Sequence, residues 1–159
     1  MKDKLIISIG IFFLLIACKK ESKPNPLLYI NRVNKLEILT VDDKCGEWGG
    51  NEKILTIYRD DLKGQLLVDY IEKTKNCKNG KEPQITKSIN RIKLTQEENE
   101  LILESINELC QTKLNKEEYP SHSGIFNRIM FRDSSIIISD FPSVELKSLN
   151  NLVTRLKKK

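Results

Sequence analysis

The chain has 159 residues, of which 39% are hydrophobic and 31% charged, and its formal net charge is +5 at pH 7. This composition is typical of one globular domain and excludes disordered, collagen-like and multi-span membrane chains. The sequence has a single histidine and no glycine-rich phosphate loop, so we expect no enzyme of a familiar class and no cofactor. Its positive charge forms no basic stripe with interleaved aromatic residues, so we expect no nucleic acid partner.

The N-terminal residues have the pattern of a secretion signal. Lys2 and Lys4 precede an uncharged, mostly apolar run at positions 5–17. That run is shorter than the roughly 20 apolar residues of a membrane-spanning helix, and Lys19 and Lys20 follow it closely. The sequence therefore predicts that residues 1–17 are a signal peptide.

The apolar run ends in Leu15, Ile16, Ala17 and Cys18, a pattern that resembles the lipobox of bacterial lipoproteins. The resemblance covers about the first 20 residues, and Ile16 is bulkier than the residue that is common there. It implies cleavage before Cys18, a diacylglycerol on the Cys18 sulfur and acylation of the new amine. It therefore implies a lipoprotein of the bacterial cell envelope, with the membrane as partner through the lipid anchor. Lys19, where the family's inner-membrane retention signal has Asp, favours the outer membrane.

The residues after the signal divide into a tether and one domain. Residues 18–26 comprise the lipidated Cys18 and a polar segment with two prolines, which reads as a flexible tether. Residues 27–159 are enough for one well-buried core and too few for two ordinary domains. We therefore expect a single domain to begin near Leu27.

The first half of this domain has the alternating pattern of β-strands. Strands are predicted at 36–41, 54–58, 66–71 and, with imperfect alternation, 85–94. At Thr95 the apolar spacing becomes helical, and Thr95 with Glu98 forms a capping box. The predicted helix runs to about residue 114. Its apolar stripe comprises Ile102, Leu103, Ile106, Leu109, Cys110 and Leu114.

The second half repeats the same two kinds of element. Strands are predicted at 125–131 and 136–141 around a hairpin turn at 132–135. A final helix is predicted to start at Pro142 and Ser143, and its apolar face comprises Leu149, Leu152, Val153 and Leu156. The order β-β-β-β-α-β-β-α predicts an α+β domain, an antiparallel sheet of about six strands with two helices packed on one face.

The cysteines predict one disulfide in an exported protein. With Cys18 lipidated, three remain, and Cys110 lies on the apolar stripe of the helix, where we expect a buried free thiol. Cys45 and Cys77 both lie in polar loops and form the natural pair. A catalytic cysteine would need a base, and the sole histidine, His122, lies in a loop that nothing places near a cysteine. We expect His122 to be a surface residue.

Residues 45–52 form the most distinctive segment, with three glycines around Trp48, the one tryptophan of the chain. In one interpretation the segment is a structural turn and Trp48 folds back over the sheet edge. In the other, Trp48 is presented for stacking on a sugar ring or for anchoring a partner protein. Glu47, Asn51 and Tyr58 would then supply polar contacts around it.

Two classes of function remain open. The first is a non-enzymatic binding module for an envelope protein or a polysaccharide. The second is a small hydrolase that uses acids such as Asp42, Asp43 and Glu47. Neither these residues nor Asp60 and Asp61 have the spacing of a calcium loop, so we expect no metal and interpret them as solvated turn acids. Because the charged residues do not converge in pattern, the sequence favours the binding module.

The lipid anchor can be tested at its attachment residue. Cys18→Ser should leave a longer, unacylated precursor, because serine lacks the sulfur that receives the diacylglycerol. Mass spectrometry of the N-terminal peptide measures both length and acylation. A wild-type mature chain that begins anywhere other than at a modified Cys18 would contradict the assignment.

Overall fold

The computed structural model describes residues 27–61, 64–78, 80–117 and 120–159. The signal peptide, Cys18 and the tether lie outside these described residues. Within them the elements follow the order β-β-β-β-α-β-β-α, with six strands in one antiparallel sheet. The α+β fold class predicted from the sequence is confirmed.

The strands occur in two groups along the chain. They are β1 (Leu36–Val41), β2 (Glu52–Tyr58), β3 (Leu67–Thr74), β4 (Gln84–Lys93), β5 (Ile125–Phe131) and β6 (Ile137–Ser143). The helices are α1 (Gln96–Asn115) and α2 (Lys147–Leu156). The sheet order is β4-β3-β2-β1-β5-β6. The first four strands thus form a meander, and α1 carries the chain back so that β5 pairs with the free side of β1.

The core lies between one face of the sheet and the two helices. Ile38 of β1 faces Leu55 of β2 and Ile129 of β5, so these three side chains form a row across the sheet. The buried side chains of the strands and helices form a single cluster. Each fully buried side chain of this size contributes about 1.5–3 kcal/mol relative to its exposed state. The helical members of the cluster are Leu101, Ile102, Leu109, Leu149, Leu152, Val153 and Leu156.

The N-terminus of α1 is capped as the sequence predicts. The Thr95 hydroxyl accepts a hydrogen bond from the Glu98 amide at 3.2 Å, and the Thr95 amide donates to the Glu98 carboxylate at 2.7 Å. The Lys159 ammonium also binds this carboxylate, at 2.6 Å. Burial by itself raises the pKa of Glu98, but the bonds from Lys159 and Thr95 outweigh it and lower that pKa below its ordinary value.

The apolar stripe of α1 differs from the prediction at two positions. Leu114 is 78% exposed, because five residues beyond Leu109 it has rotated about 140° away from the core, at 100° per residue. Cys110, which was expected to be buried, is free and half-buried at the margin of the stripe. Leu101, which the predicted stripe left out, is buried.

The predicted start of the last helix, at Pro142 and Ser143, is wrong. β6 continues through Ser143, and α2 begins at Lys147. Proline is tolerated in an edge strand because its missing N–H need not pair, and it disfavours a helical conformation in the residue before it. The four apolar residues assigned to this helix are all buried, so its packing face was predicted correctly.

A polar cluster fixes β6 to its neighbours. Asp140 is buried on β6 and forms an ion pair with Lys116, which follows α1. Beside it, the buried Asn127 amide donates to the Ser143 hydroxyl at 3.0 Å, and its oxygen accepts from Thr40 at 2.9 Å. Buried polar groups are tolerated when they are paired in this way.

Replacing the buried capping acid should cost stability in a pH-dependent manner. Glu98→Gln should lower the free energy of unfolding at pH 7 by about 1–2 kcal/mol, because the amide cannot replace the charged acceptor. A lowered pKa contributes stability above the ordinary value of 4.5, and this stability is lost as pH falls through the folded-state value. The difference between wild type and variant, measured by urea unfolding, should therefore shrink at pH 3.

Glu97→Gln is the matched control for this substitution. The Glu97 carboxylate forms an ion pair with Arg155 at 2.8 Å, but it is largely exposed. Exposed pairs contribute little, so the control should change stability by less than about 0.5 kcal/mol. Equal losses in the two variants would contradict the special role of Glu98.

Candidate functional site

A disulfide joins two loops at one end of the sheet. β1 and β3 end there, and β2 and β4 begin there. Cys45 in the β1–β2 loop is bonded to Cys77 in the β3–β4 loop, with a Cα–Cα distance of 5.3 Å. The predicted disulfide pair is confirmed. It links connections that are 32 residues apart in sequence, so it fixes the β1–β2 loop to the neighbouring hairpin.

The base of the β1–β2 loop is closed by Asp42 and Asn51. The Asp42 carboxylate accepts two hydrogen bonds from Asn51, one from its backbone N–H at 2.8 Å and one from its side-chain Nδ2 at 2.9 Å. The Asn51 side-chain oxygen accepts from the Lys75 amide at 3.1 Å. Both polar ends of Asn51 are thus engaged within the protein. Asn51 stabilises the loop rather than standing free at its surface.

Between these residues and the disulfide, the loop forms a short 3₁₀ turn, Gly46–Trp48. The Cys45 amide donates to the Gly49 carbonyl at 2.8 Å, and Gly49 has a positive φ of 73°. Gly50 has no room for a side chain, since a Cβ atom there would lie 1.8 Å from the Asp42 carboxylate. The glycines therefore permit one compact loop conformation.

Trp48 is the last residue of this turn, and its side chain is 73% exposed. Its carbonyl oxygen accepts a hydrogen bond from the Lys75 ammonium at 2.6 Å, and Glu47 beside it is exposed. The segment is a compact turn, as the structural interpretation expected, but its second part is wrong because the indole does not fold back over the sheet edge. A fixed backbone here holds a large aromatic side chain in solvent. Such residues are uncommon on protein surfaces and are enriched at binding sites.

Tyr58 does not belong to this site. It is the last residue of β2, whereas the Trp48 loop precedes β2, so the strand separates them by on the order of 20 Å. Tyr58 is buried, and its hydroxyl donates to Asp69 at 3.1 Å. Burial, together with Asp69, raises its pKa. The predicted grouping of Tyr58 with Trp48 is therefore wrong. The two residues are ten positions apart in sequence, but the extended strand β2 places them at opposite ends of the sheet.

The acids considered for hydrolysis lie in the same loop. The Asp42 carboxylate is engaged by the backbone and side chain of Asn51, and Asp43 and Glu47 are exposed. A general acid needs a carboxyl group free to reach a substrate, and Asp42 is occupied by the loop. His122 is exposed in its own loop. The arrangement around Trp48 is suited to recognition.

Lys75 is a member of the site that the sequence did not indicate. Its ammonium and its amide bond the loop at two points, the Trp48 carbonyl and the Asn51 side chain. Lys75 is 27 residues from Trp48 in sequence. Strand pairing and the disulfide bring the two together, so no local pattern could have found the contact.

No family model, curated protein or solved structure matches this chain. Across residues 27–61, 64–78, 80–117 and 120–159, no group of three His, Cys, Asp or Glu side chains is placed to hold a metal ion. No helix in those ranges is both long enough and apolar enough to cross a bilayer.

Removing the disulfide should destabilise the fold. The double substitution Cys45→Ala with Cys77→Ala should lower the free energy of unfolding by about 3–4 kcal/mol, because the denatured chain regains the entropy of an open loop. Urea unfolding measures the loss. Cys110→Ala is the control, and it should cost about 1 kcal/mol or less and leave the bridge intact. Non-reducing peptide mapping that placed Cys110 in the bridge would contradict the assignment.

Proposed function

We propose that this chain is a lipid-anchored lipoprotein of the bacterial cell envelope, in the outer membrane, that binds a partner through Trp48 and catalyses no reaction. The lipobox at residues 15–18 supports the anchor. The observation that carries the binding role is the 73% exposure of Trp48 on a loop fixed by a disulfide. An exposed indole in water has an energetic disadvantage that a bound partner would relieve.

The rigidity of the loop favours binding. A flexible loop loses conformational entropy when a partner orders it, which weakens the complex. Here the Cys45–Cys77 bond and the Asp42–Asn51 hydrogen bonds restrict the backbone before any partner arrives. A tryptophan that becomes buried at an interface can contribute about 2 kcal/mol or more. Most of that contribution is available for affinity when the backbone is already ordered.

The chemistry of Trp48 and its neighbour Glu47 favours two classes of partner. An indole face stacks on the apolar face of a sugar ring, and it also fills an apolar pocket on a protein. Glu47 lies beside Trp48 and is exposed, so its carboxylate can accept hydrogen bonds from hydroxyl or amide groups of either partner. We therefore infer an envelope polysaccharide or an envelope protein as partner.

Truncating the indole should weaken binding and leave the fold intact. Trp48→Ala should weaken partner binding at least tenfold, since the loop loses its apolar contact, and should shift Tm by no more than about 2 °C. Binding can be measured by capture of proteins and glycans from an envelope extract on the immobilised chain. Trp48 is the sole tryptophan, so its fluorescence reports each captured ligand directly in a titration.

Leu114→Ala is the matched control, because Leu114 is a comparably exposed apolar side chain on a helix away from the loop. It should retain the ligands that Trp48→Ala loses. A large drop in Tm for Trp48→Ala with unchanged binding would show that the indole is structural. Turnover of a glycan or peptide by the wild-type chain would contradict the non-enzymatic role.

A further inference from the structure

The end of the sheet opposite Trp48 carries a second exposed surface, built by the first described residues. Leu27 and Ile30 are buried in the core and fix the segment that precedes β1. Between and after them, Leu28, Tyr29 and Val33 point outward and are exposed by 52–74%. Three apolar side chains are thus held in solvent by a segment that Leu27 and Ile30 anchor to the core.

This segment packs against the turn between β5 and β6. The rings of Tyr29 and Phe131 pack edge to face with their centroids 5.2 Å apart, and the Tyr29 hydroxyl donates to Asp133 at 2.9 Å. The Arg132 amide donates to the Lys35 carbonyl at 2.9 Å. Ile136 is exposed in the same turn. We call this surface the N-terminal patch, comprising Leu28, Tyr29, Val33 and Ile136 with the cations Arg32, Lys35 and Arg132.

The cations of the N-terminal patch are available to a ligand. In the part of the chain that the structure describes, no carboxylate forms an ion pair with Arg32, Lys35 or Arg132. The Lys35 ammonium lies 4.5 Å from the centre of the Tyr58 ring. Asp133, next to the patch, accepts hydrogen bonds from Tyr29 and Ser135.

A hollow of about 240 Å³ opens between two of these cations. Lys35, Arg132 and Thr56 line it, together with Met130 and Glu37. The Glu37 carboxylate is paired with Arg128 at 3.1 Å, so its charge is already balanced. The hollow therefore presents an excess of positive charge, a hydroxyl donor and an apolar wall. These groups match a phosphate that is attached to an apolar chain.

We propose that the N-terminal patch rests on anionic phospholipid, with a headgroup phosphate between Lys35 and Arg132 and the apolar residues in the interface. The inference rests on the proposed lipid anchor at Cys18. Eight residues separate Cys18 from Leu27, and a fully extended chain of that length spans about 30 Å at most. The anchor thus keeps the patch close to the bilayer, where cations, tyrosine and aliphatic side chains are favoured.

This orientation gives the two ends of the sheet different roles. The patch lies where β1 begins, and the Trp48 loop lies where β1 ends. When the patch contacts lipid, Trp48 points away from the membrane. The partner is then met on the side of the domain that faces away from the bilayer.

Hydrogen–deuterium exchange of the acylated full-length protein in vesicles tests the proposal. Amides of residues 27–36 and 131–137 should exchange at least threefold more slowly in phosphatidylglycerol vesicles than in phosphatidylcholine vesicles. The triple variant Arg32→Glu, Lys35→Glu and Arg132→Glu should lose this difference while staying bound through its acyl chains. The double variant Arg32→Gln with Arg132→Gln should lose part of the difference between the two vesicle types. Because both positions are exposed, this variant should fold, and it tests the patch if the triple variant does not.

The matched control reverses three exposed lysines elsewhere, Lys78→Glu, Lys113→Glu and Lys147→Glu, with the same change in net charge. It should keep the wild-type protection. Equal exchange in the two vesicle types, for a protein that is acylated and floats with vesicles, would overturn the patch and leave the anchor standing. Protection that rises with protein concentration without vesicles would show that a second copy covers the patch, and would also overturn it.

Failure of the anchor itself is a separate result. Mass spectrometry would then show an unacylated chain, and flotation with phosphatidylcholine vesicles would be absent. Salt-sensitive binding of that chain to phosphatidylglycerol vesicles, lost in the triple variant and kept in the control, would still support the patch. Equal binding of wild type and triple variant would overturn it.

Discussion

Antiparallel pairing of β1 with both β2 and β5 is the constraint on which the rest of the domain depends. β2 follows β1 directly, but β5 reaches it only after two further strands and α1. The chain must therefore cross from the β4 edge to the far side of β1, and α1 makes this crossing while covering the apolar face. Ile38, between Leu55 and Ile129, lies where the two halves of the sheet meet. This row therefore buries apolar side chains from both halves of the sheet against one another.

The same topology produces a molecule with two unlike ends. Connections between adjacent antiparallel strands alternate between the ends of a sheet, so the β1–β2 and β3–β4 loops share one end. Their proximity is what allows the Cys45–Cys77 bond to form. The segment before β1 and the β5–β6 turn share the other end, and Tyr29 bonds to Asp133 there. Strand pairing therefore creates both the disulfide-linked loop and the N-terminal patch.

The backbone of the loop that carries Trp48 is constrained at several points. Within the Trp48 loop, the Asp42 carboxylate accepts a hydrogen bond from Asn51. Lys75 of the neighbouring hairpin donates hydrogen bonds to Asn51 and Trp48, and the disulfide adds a covalent constraint. None of these residues needs to touch a partner. Their effect is to hold one exposed indole in place, so that binding energy is not lost to ordering of the loop. Asp42, which the sequence offers as a candidate for hydrolysis, serves this structural purpose.

The sequence by itself determined the features that depend on local spacing. Alternation predicted the strands, Thr95 and Glu98 predicted the cap of α1, and the placement of Cys45 and Cys77 in polar loops predicted their bond. The alternation and the cap are patterns within a few residues. The disulfide could be predicted because only three cysteines remain after Cys18. Where the local signal was weak, the prediction failed. Leu114 was placed on the apolar stripe but is exposed, and the last helix begins at Lys147 instead of Pro142.

Apart from the disulfide pair, tertiary structure alone decided which distant residues meet. The sequence left the exposure of Trp48 open. Its bond from Lys75 follows from how β2 and β3 pair, and its distance to Tyr58 follows from the length of β2. The patch depends likewise on Tyr29 reaching Asp133, more than a hundred residues away. The sequence of a segment sets its own periodicity and capping, whereas contacts between segments depend on the packing of every strand and helix that separates them.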